Sequence, residues 1–511
     1  MNPVSNQSKP SDRRYLKLLL LLLAIAFLLR IFLVIFPEVI RNDGAEYVRC
    51  AKQIASGNWK GSKAPPFYPV LIVLASRLAP NFELAGIWVS VILGTLLLIP
   101  VFYLGKEIFN ERVGLLAALF AMVQPFLYLY SGSVLTESTY HFLMATTVLL
   151  GWYAFREGRF LHILLFSLLT ALGYLTRPEA IGFLFVFSFW VLFIPPPEER
   201  RQGIKRVGIA FLAILLFLVF SFPYLLQIRE DTGRWGITKK FSISVGSLSD
   251  QEEVQSLERI TRTKKIHLVS FVKEPLIVLK KIGVGWVFSL YKFQLGFNPL
   301  LFFFAIPGFI LNMRSRSSRK GGLYLLSFFI FYLGFVLPFF WIDRRYASHL
   351  ITLALPWAAL GFIGLTEWTV ARLKEGMLKK KMTALLLILV LVALFIQGRV
   401  THGREQRLIQ REIGLWMKDH LPKEAIFMSR LPQEAFYAEM AWIIMPDGNY
   451  EEMMQIARSK GIRYFIVDDQ IKGKSPDFLE KIKEEDLVRV RDWKRKAQWS
   501  ILFEVLYPVK Q

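Results

Sequence analysis

Apolar residues in this chain gather into long unbroken runs rather than into alternating or one-sided patterns. Runs near twenty residues, the length a helix needs to cross a bilayer, start near Tyr15, Leu84, Val113, Thr139, Leu161, Ala180, Val207, Pro299, Gly322, Ala347 and Met382, about eleven in all. Those at Leu161 and Pro299 are the shortest, at about fifteen residues. The first run follows a polar start and a basic cluster, "KPSDRRYLK". It is too long for a signal-peptide core and has no small-residue cleavage site, so it predicts a retained transmembrane helix.

The polar breaks between the runs alternate in character. "KPSDRRYLK", "KEIFNER", "REGR", "EERRQGIKR", "RSRSSRK" and "ARLKEGMLKKK" are all basic, and short basic loops stay on the cytoplasmic side. The N-terminus is therefore expected inside. The opposite face receives the loop from Pro37 to about Phe82, the turns "SGSVLTES", "TRPEA" and "DRRY", and a mixed segment from Arg229 to about Lys281 that is expected to lie on the membrane surface. An odd number of spans places the tail outside as well.

After Gly398 the pattern becomes that of a soluble domain. "EQRLIQREIGLWMKDHL" has helical spacing, "AIFMS" and "YFIVDD" are short β-rich runs, "YEEMMQIARSKG" is a helix ending on Gly461, and "WSILFEVLY" is a last strand. The expected organisation is a cytoplasmic N-terminus over 1–14, a transmembrane domain over 15–398 with outside loops 38–82 and 229–281, and a small α/β domain over 399–511. The fold class is mainly α: a polytopic helical membrane protein, N-terminus in and C-terminus out.

Composition agrees with that picture and changes one point. The chain has 511 residues, 54% hydrophobic, 15% aromatic and 20% charged, which excludes an ordinary soluble protein. The net charge of +23 would suggest nucleic acid in a soluble chain. Here it follows from basic inside loops, and no basic stripe interleaved with aromatics stands apart from the apolar framework. The single cysteine, Cys50, excludes an intrachain disulfide, and there is no Cys/His cluster for structural zinc.

The unusual charges fall on the outside face. Asp43 and Glu46 follow the first run, Glu137 precedes the fourth, Arg177 and Glu179 separate the fifth and sixth, and Asp343, Arg344 and Arg345 join the ninth and tenth. Each has a plain structural explanation. Asp43 with Glu46, and Thr176 with Glu179, have capping-box spacing; Glu137 complements a helix dipole after Thr136; Arg344 and Arg345 reach headgroups. Their gathering at one membrane edge points instead to a site, because ionisable groups at that depth are costly. Asp468 and Asp469 end a predicted strand and read as turn-forming.

The first outside loop, "AEYVRCAKQIASGNW" after an acid and "PPFYPVLIVL" opening the second run, resembles that of the GT-C superfamily of membrane glycosyltransferases. The resemblance is to the branch of protein O-mannosyltransferases, lipid A aminoarabinose transferase and related bacterial enzymes that use polyprenyl-phosphate sugars. "SGSVLTESTYHFL" is similar to that branch's second acidic motif, "YLTRPEAIGFL" to its Arg-Pro turn, and "DRRYASHLITLALPWAALGF" to its late Arg-Tyr motif. Two positions depart from it. Ala64 stands before Pro65 and Pro66 with Lys63 one residue early, and Gly44 follows Asp43 where protein O-mannosyltransferases pair two acids.

The resemblance implies a GT-C-like fold in a bacterial cytoplasmic membrane, with the site on the outer side. It implies inverting transfer of a sugar from a polyprenyl phosphate to a hydroxyl of a lipid, glycan or protein. Asp43 would be the general base, and Glu137 a second catalytic acid that orients the acceptor or sugar. Arg177, Arg345 and Tyr346 would hold the donor phosphate, supported by Glu46, Tyr47, Lys63, Tyr68 and Arg344. No cofactor is certain; a divalent cation between Asp43 and Glu137 is left open. The competing expectation is a transporter or lipid-linked-sugar flippase, which predicts midplane charges, broken helices and repeated halves. The sequence shows edge charges and no repeat.

Overall fold

The structure is a computed structural model and describes residues 10–59, 64–196, 203–239, 275–336, 344–371, 376–400, 405–475 and 477–507. Lys63, Asp343 and most of the expected surface segment from Arg229 to about Lys281 lie outside the described residues. The chain divides into two compact units, Met1–Phe36 with Cys50–Val400, and Pro37–Arg49 with Thr401–Gln511.

The first unit is helical. Its helices are α1 (Pro10–Ile35), α2 (Asn42–Ala55, whose first half belongs to the second unit), α3 (Phe67–Ala75), α4 (Phe82–Leu96), α5 (Leu98–Ile108), α6 (Glu111–Val123), α7 (Pro125–Tyr130) and α8 (Glu137–Glu157). There follow α9 (Phe160–Tyr174), α10 (Ile181–Phe193), α11 (Gly203–Thr232), α12 (Pro275–Phe297), α13 (Pro299–Arg314) and α14 (Arg316–Phe331). The last are α15 (Arg344–Ala347), α16 (Ile351–Val370) and α17 (Gly376–Val400).

Five described stretches are long and apolar enough to cross a membrane: Arg13–Ile35, Phe82–Ile108, Gly203–Thr232, Arg344–Val370 and Lys380–Gln397. Gly283–Phe297 and Pro299–Arg314 make a sixth if their 110° bend is counted as one broken span. The chain is a multi-pass membrane protein, and each expected apolar run begins in a helix or at its edge. Length and composition establish five or six crossings among the described residues, not eleven, because helices such as α9 and α10 are short.

Helix α12 extends further back than the run expected at Pro299, since Lys280, Lys281 and Lys292 dilute its apolar pattern. The bend after it has a local cause. Asn298 sits at φ 85° and its side chain accepts from Leu300 N, while Pro299 opens α13. A positive φ breaks the helix, and proline then starts the next.

The second unit carries a five-stranded sheet, β1 (Ile426–Ser429), β2 (Trp442–Ile444), β3 (Ile462–Asp468), β4 (Leu487–Arg495) and β5 (Gln498–Val505), in the order β2-β1-β3-β5-β4. β1 runs parallel to β2 and β3, whereas β5 is antiparallel to β3 and β4. Alternate residues face opposite sides, as a strand requires. Phe427, Tyr464, Ile466 and Leu502 pack with α18 (Glu405–His420) and α19 (Gln433–Ala438). Met428, Phe465, Val467 and Phe503 pack with α20 (Tyr450–Lys460). Helix α20 has the capping box of Asn449 and Glu452 and ends on Gly461 at φ 64°.

Candidate functional site

Three breaks in the helices of the first unit converge on one carboxylate. Glu137 lies in the first turn of α8 and is fully buried. Arg177 sits in the break between α9 and α10, where Pro178 forbids a continuous helix. Arg345 lies in the short helix α15. The Arg177 Nη1 donates to Glu137 Oε1 at 3.1 Å, and Arg345 Nε donates to the same oxygen. Arg177 also donates to Thr136 Oγ1 at 3.4 Å and stands 3.8 Å from the Glu179 carboxylate. Its guanidinium lies 4.8 Å from the Tyr346 ring centroid and 5.7 Å from that of Tyr140, within cation–π range.

The two arginines differ in access. The Arg177 side chain is 9% exposed and that of Arg345 22%, so Arg345 presents more of its charge outward. Arg344, beside it, is exposed.

Two histidines lie four residues on from the ionic groups, His141 from Glu137 and His349 from Arg345, and both are buried. Their rings are 5.6 Å apart; Tyr332 OH and His349 Nδ1 are 3.0 Å apart, and the Tyr140 ring meets His349 edge-on at 4.7 Å. Sequence reasoning missed both histidines, although the four-residue spacing in "ESTYH" and "RYASH" placed them one turn along. Around them Glu137 Oε2, Ser138 Oγ, Thr139 Oγ1, His349 Nε2 and Thr352 Oγ1 are buried without a hydrogen-bond partner. Buried polar atoms are nearly always paired, so such a concentration marks a place suited to polar contents.

Tyr68 is buried between α3 and α4, its hydroxyl 3.2 Å from both Gly86 O and Ser90 Oγ. Asp43, Glu46 and Tyr47 fall in the part of α2 that belongs to the second unit. Asp43 is half-buried in the first turn of α2, and Tyr47 is buried.

The expected capping box of Thr176 and Glu179 does not form. Glu46 accepts from Arg49 at 2.6 and 2.9 Å, and Thr176 Oγ1 donates to Leu172 O at 2.8 Å. The Thr176 hydroxyl satisfies the preceding helix instead. The start of α2 is tied to its own unit, because Tyr437 OH accepts from Ile40 N at 3.0 Å and Gln433 Nε2 donates to Asn42 Oδ1 at 2.5 Å.

Among the described residues, no group of three or more His, Cys, Asp or Glu could hold a metal ion. Glu137, gripped by two guanidinium groups, is poorly suited to a divalent cation, since the cation would meet two like charges.

The model of the dolichyl-phosphate-mannose-protein mannosyltransferase family matches residues 63–226. Among curated proteins no sequence matches the chain. Solved structures do match in shape. ArnT from Cupriavidus metallidurans, bound to undecaprenyl phosphate, aligns at a TM-score of 0.57 and 14% identity over 95% of this chain and 97% of its own. The oligosaccharyltransferase AglB from Archaeoglobus fulgidus, in complex with an inhibitory peptide and a dolichol-phosphate, aligns at 0.57 and 13% identity over 97% of this chain and 74% of its own. The arabinofuranosyltransferase AftD from Mycobacteria aligns at 0.52 and 13% identity over 96% of this chain and 42% of its own. With buried Arg177 and part-buried Arg345 converging on the acid that opens α8, the chain has the fold of the GT-C superfamily of membrane glycosyltransferases.

Proposed function

We propose that this protein transfers a sugar from a polyprenyl-phosphate donor to an acceptor hydroxyl, with inversion, at the outer face of a bacterial cytoplasmic membrane. The observation that carries the reading is the cluster of buried Glu137 and Arg177 with part-buried Arg345, beside unpaired polar atoms. A departing polyprenyl phosphate gains negative charge as the anomeric bond breaks, and a preorganised guanidinium stabilises that charge most where water is scarce.

Arg345, the more exposed of the pair, takes the phosphate in this reading. Arg177, held by Glu137 and stacked on Tyr346, braces it. Glu137 acts as a positioning residue for both cations. Asp43 removes the acceptor proton as the hydroxyl oxygen bonds to the anomeric carbon and the carbon–phosphate oxygen bond breaks. An apolar cavity of about 240 Å³ lined by Leu96, Ile99, Pro100, Phe142, Thr146 and Leu149 suits part of the prenyl chain. Its α8 residues lie one to three turns beyond Glu137.

The test supplies purified protein with labelled polyprenyl-phosphate sugars and follows released polyprenyl phosphate. Turnover is expected in the native chain and absent in Asp43→Asn, which caps or opens a helix as well as Asp but cannot act as a base. Full activity in that variant at normal protein level removes Asp43 from the chemistry. No turnover with any donor, together with movement of the donor across vesicles, supports the flippase instead.

A further inference from the structure

The second unit holds a cavity that the transfer chemistry leaves unused. It measures about 160 Å³ and is lined by Gln410 of α18, Arg430 after β1, Asp469 and Gln470 after β3, and Gln498 and Trp499 at the start of β5. Its place follows from topology. The chain leaves β1 for β2 on one side, then returns through α20 to β3 on the other side of β1. The loops after β1 and β3 therefore diverge and leave a crevice at the carboxyl ends of parallel strands, where α/β sheets take their ligands. β5 closes it from the side: Asp468 pairs with Ser500, and Asp469 N donates to Trp499 O at 3.2 Å.

The chemistry of the lining restricts what fits. Arg430 donates to both oxygens of Asp468, at 3.2 and 3.0 Å from Nε and 2.6 Å from Nη2, and Gln470 N donates to Asp468 Oδ1 at 3.1 Å. That ion pair is self-neutralising and rigid, so Asp469 leaves the crevice with an excess negative charge that repels anions. Three amides and a carboxylate offer both donors and acceptors, and an indole offers an apolar face. The volume is below the ~300 Å³ typical of sites for drug-sized ligands, so it admits one small unit.

We infer that this crevice binds an uncharged sugar residue, with Asp469, Gln470 and Gln498 bonding its hydroxyls and Trp499 meeting its ring face. The inference stands apart from the transferase reading, because a sugar can be bound without being transferred. If transfer also holds, the crevice would grip a sugar of a glycan acceptor.

The test uses the full chain in detergent, titrated by calorimetry and saturation-transfer NMR with methyl α-mannoside, methyl β-glucoside, methyl β-galactoside, methyl N-acetyl-β-glucosaminide and inorganic phosphate. At least one glycoside is expected to bind in the millimolar range and phosphate not at all. Asp469→Ala and Gln470→Ala, both at exposed positions, are expected to keep the native melting temperature and weaken binding about tenfold, as loss of a hydrogen bond does. The inference is overturned if no glycoside binds, if both variants bind as the native chain does, or if phosphate binds and the variants release it. Because binding is read rather than turnover, its failure leaves the transferase reading untouched.

Discussion

Glu137 is a buried carboxylate whose single oxygen Oε1 serves two arginines. Removing one partner of such an arrangement strands charge in a medium that cannot solvate it, at about 3–5 kcal/mol. Glu137→Gln is therefore expected to lower the unfolding temperature in detergent and to cut turnover. Adding Arg345→Gln should recover part of the stability but none of the activity. A single variant as stable as the native protein would show that the arginines do not depend on Glu137.

Glu434 gives a second test at this scale, in the soluble unit. Burial pushes its carboxyl up from 4.5 to about 8. Between those values the folded chain keeps a proton that the unfolded chain has released, so stability falls as pH rises through the window. The slope is about 1.4 kcal/mol per pH unit. Glu434→Gln stays neutral throughout, so the drop in melting temperature of this unit from pH 5 to pH 8 should shrink. An equal drop in both proteins would mean that Glu434 ionises normally.

At the scale of elements, legibility followed periodicity. β1, β3, β5, α18 and α20 stand where short β-rich runs and helical spacing put them. β4 was missed because its residues are mostly charged and exposed, as suits an edge strand. β2 was missed because three residues carry no period. The ionic cluster was legible as separate turns, but its pairing was not: nothing in "TRPE" or "DRRY" says that both arginines meet one oxygen of Glu137.

Close helix crossings were equally hidden, since a glycine's partner lies far along the chain. A Cβ on Gly308 would strike Trp357 O and one on Gly361 would strike Phe304 O, so α13 and α16 touch through glycine faces, a common device for packing helices in membranes. Gly308→Leu and Gly361→Leu are each expected to reduce folded protein recovered in detergent and lower its unfolding temperature by several degrees. Gly203→Leu, where a Cβ meets nothing, should change neither. Equal yields for all three would mean that the crossing tolerates separation.

At the scale of the whole molecule, orientation rests on the basic loops, and the protein supplies its own means of testing it. Its one cysteine, Cys50, is fully buried, so Cys50→Ala gives a background without reactive thiols. Single cysteines can then replace Leu78, in the expected first outside loop and 95% exposed, Arg159, in the basic turn between α8 and α9, and Lys460, exposed at the end of α20. Ten of the eleven expected runs lie between Leu78 and Lys460, and an even number returns the chain to the same side. A membrane-impermeant maleimide is thus expected to label Leu78→Cys and Lys460→Cys in intact cells, and Arg159→Cys only once the membrane is opened. Labelling of all three with the opposite preference would reverse the orientation and move the proposed site to the cytoplasmic face. Labelling of Leu78→Cys and Lys460→Cys on different sides would require an odd number of crossings between them, and one apolar run, with the short helices α9 and α10 the first suspects, would then enter the membrane without crossing it.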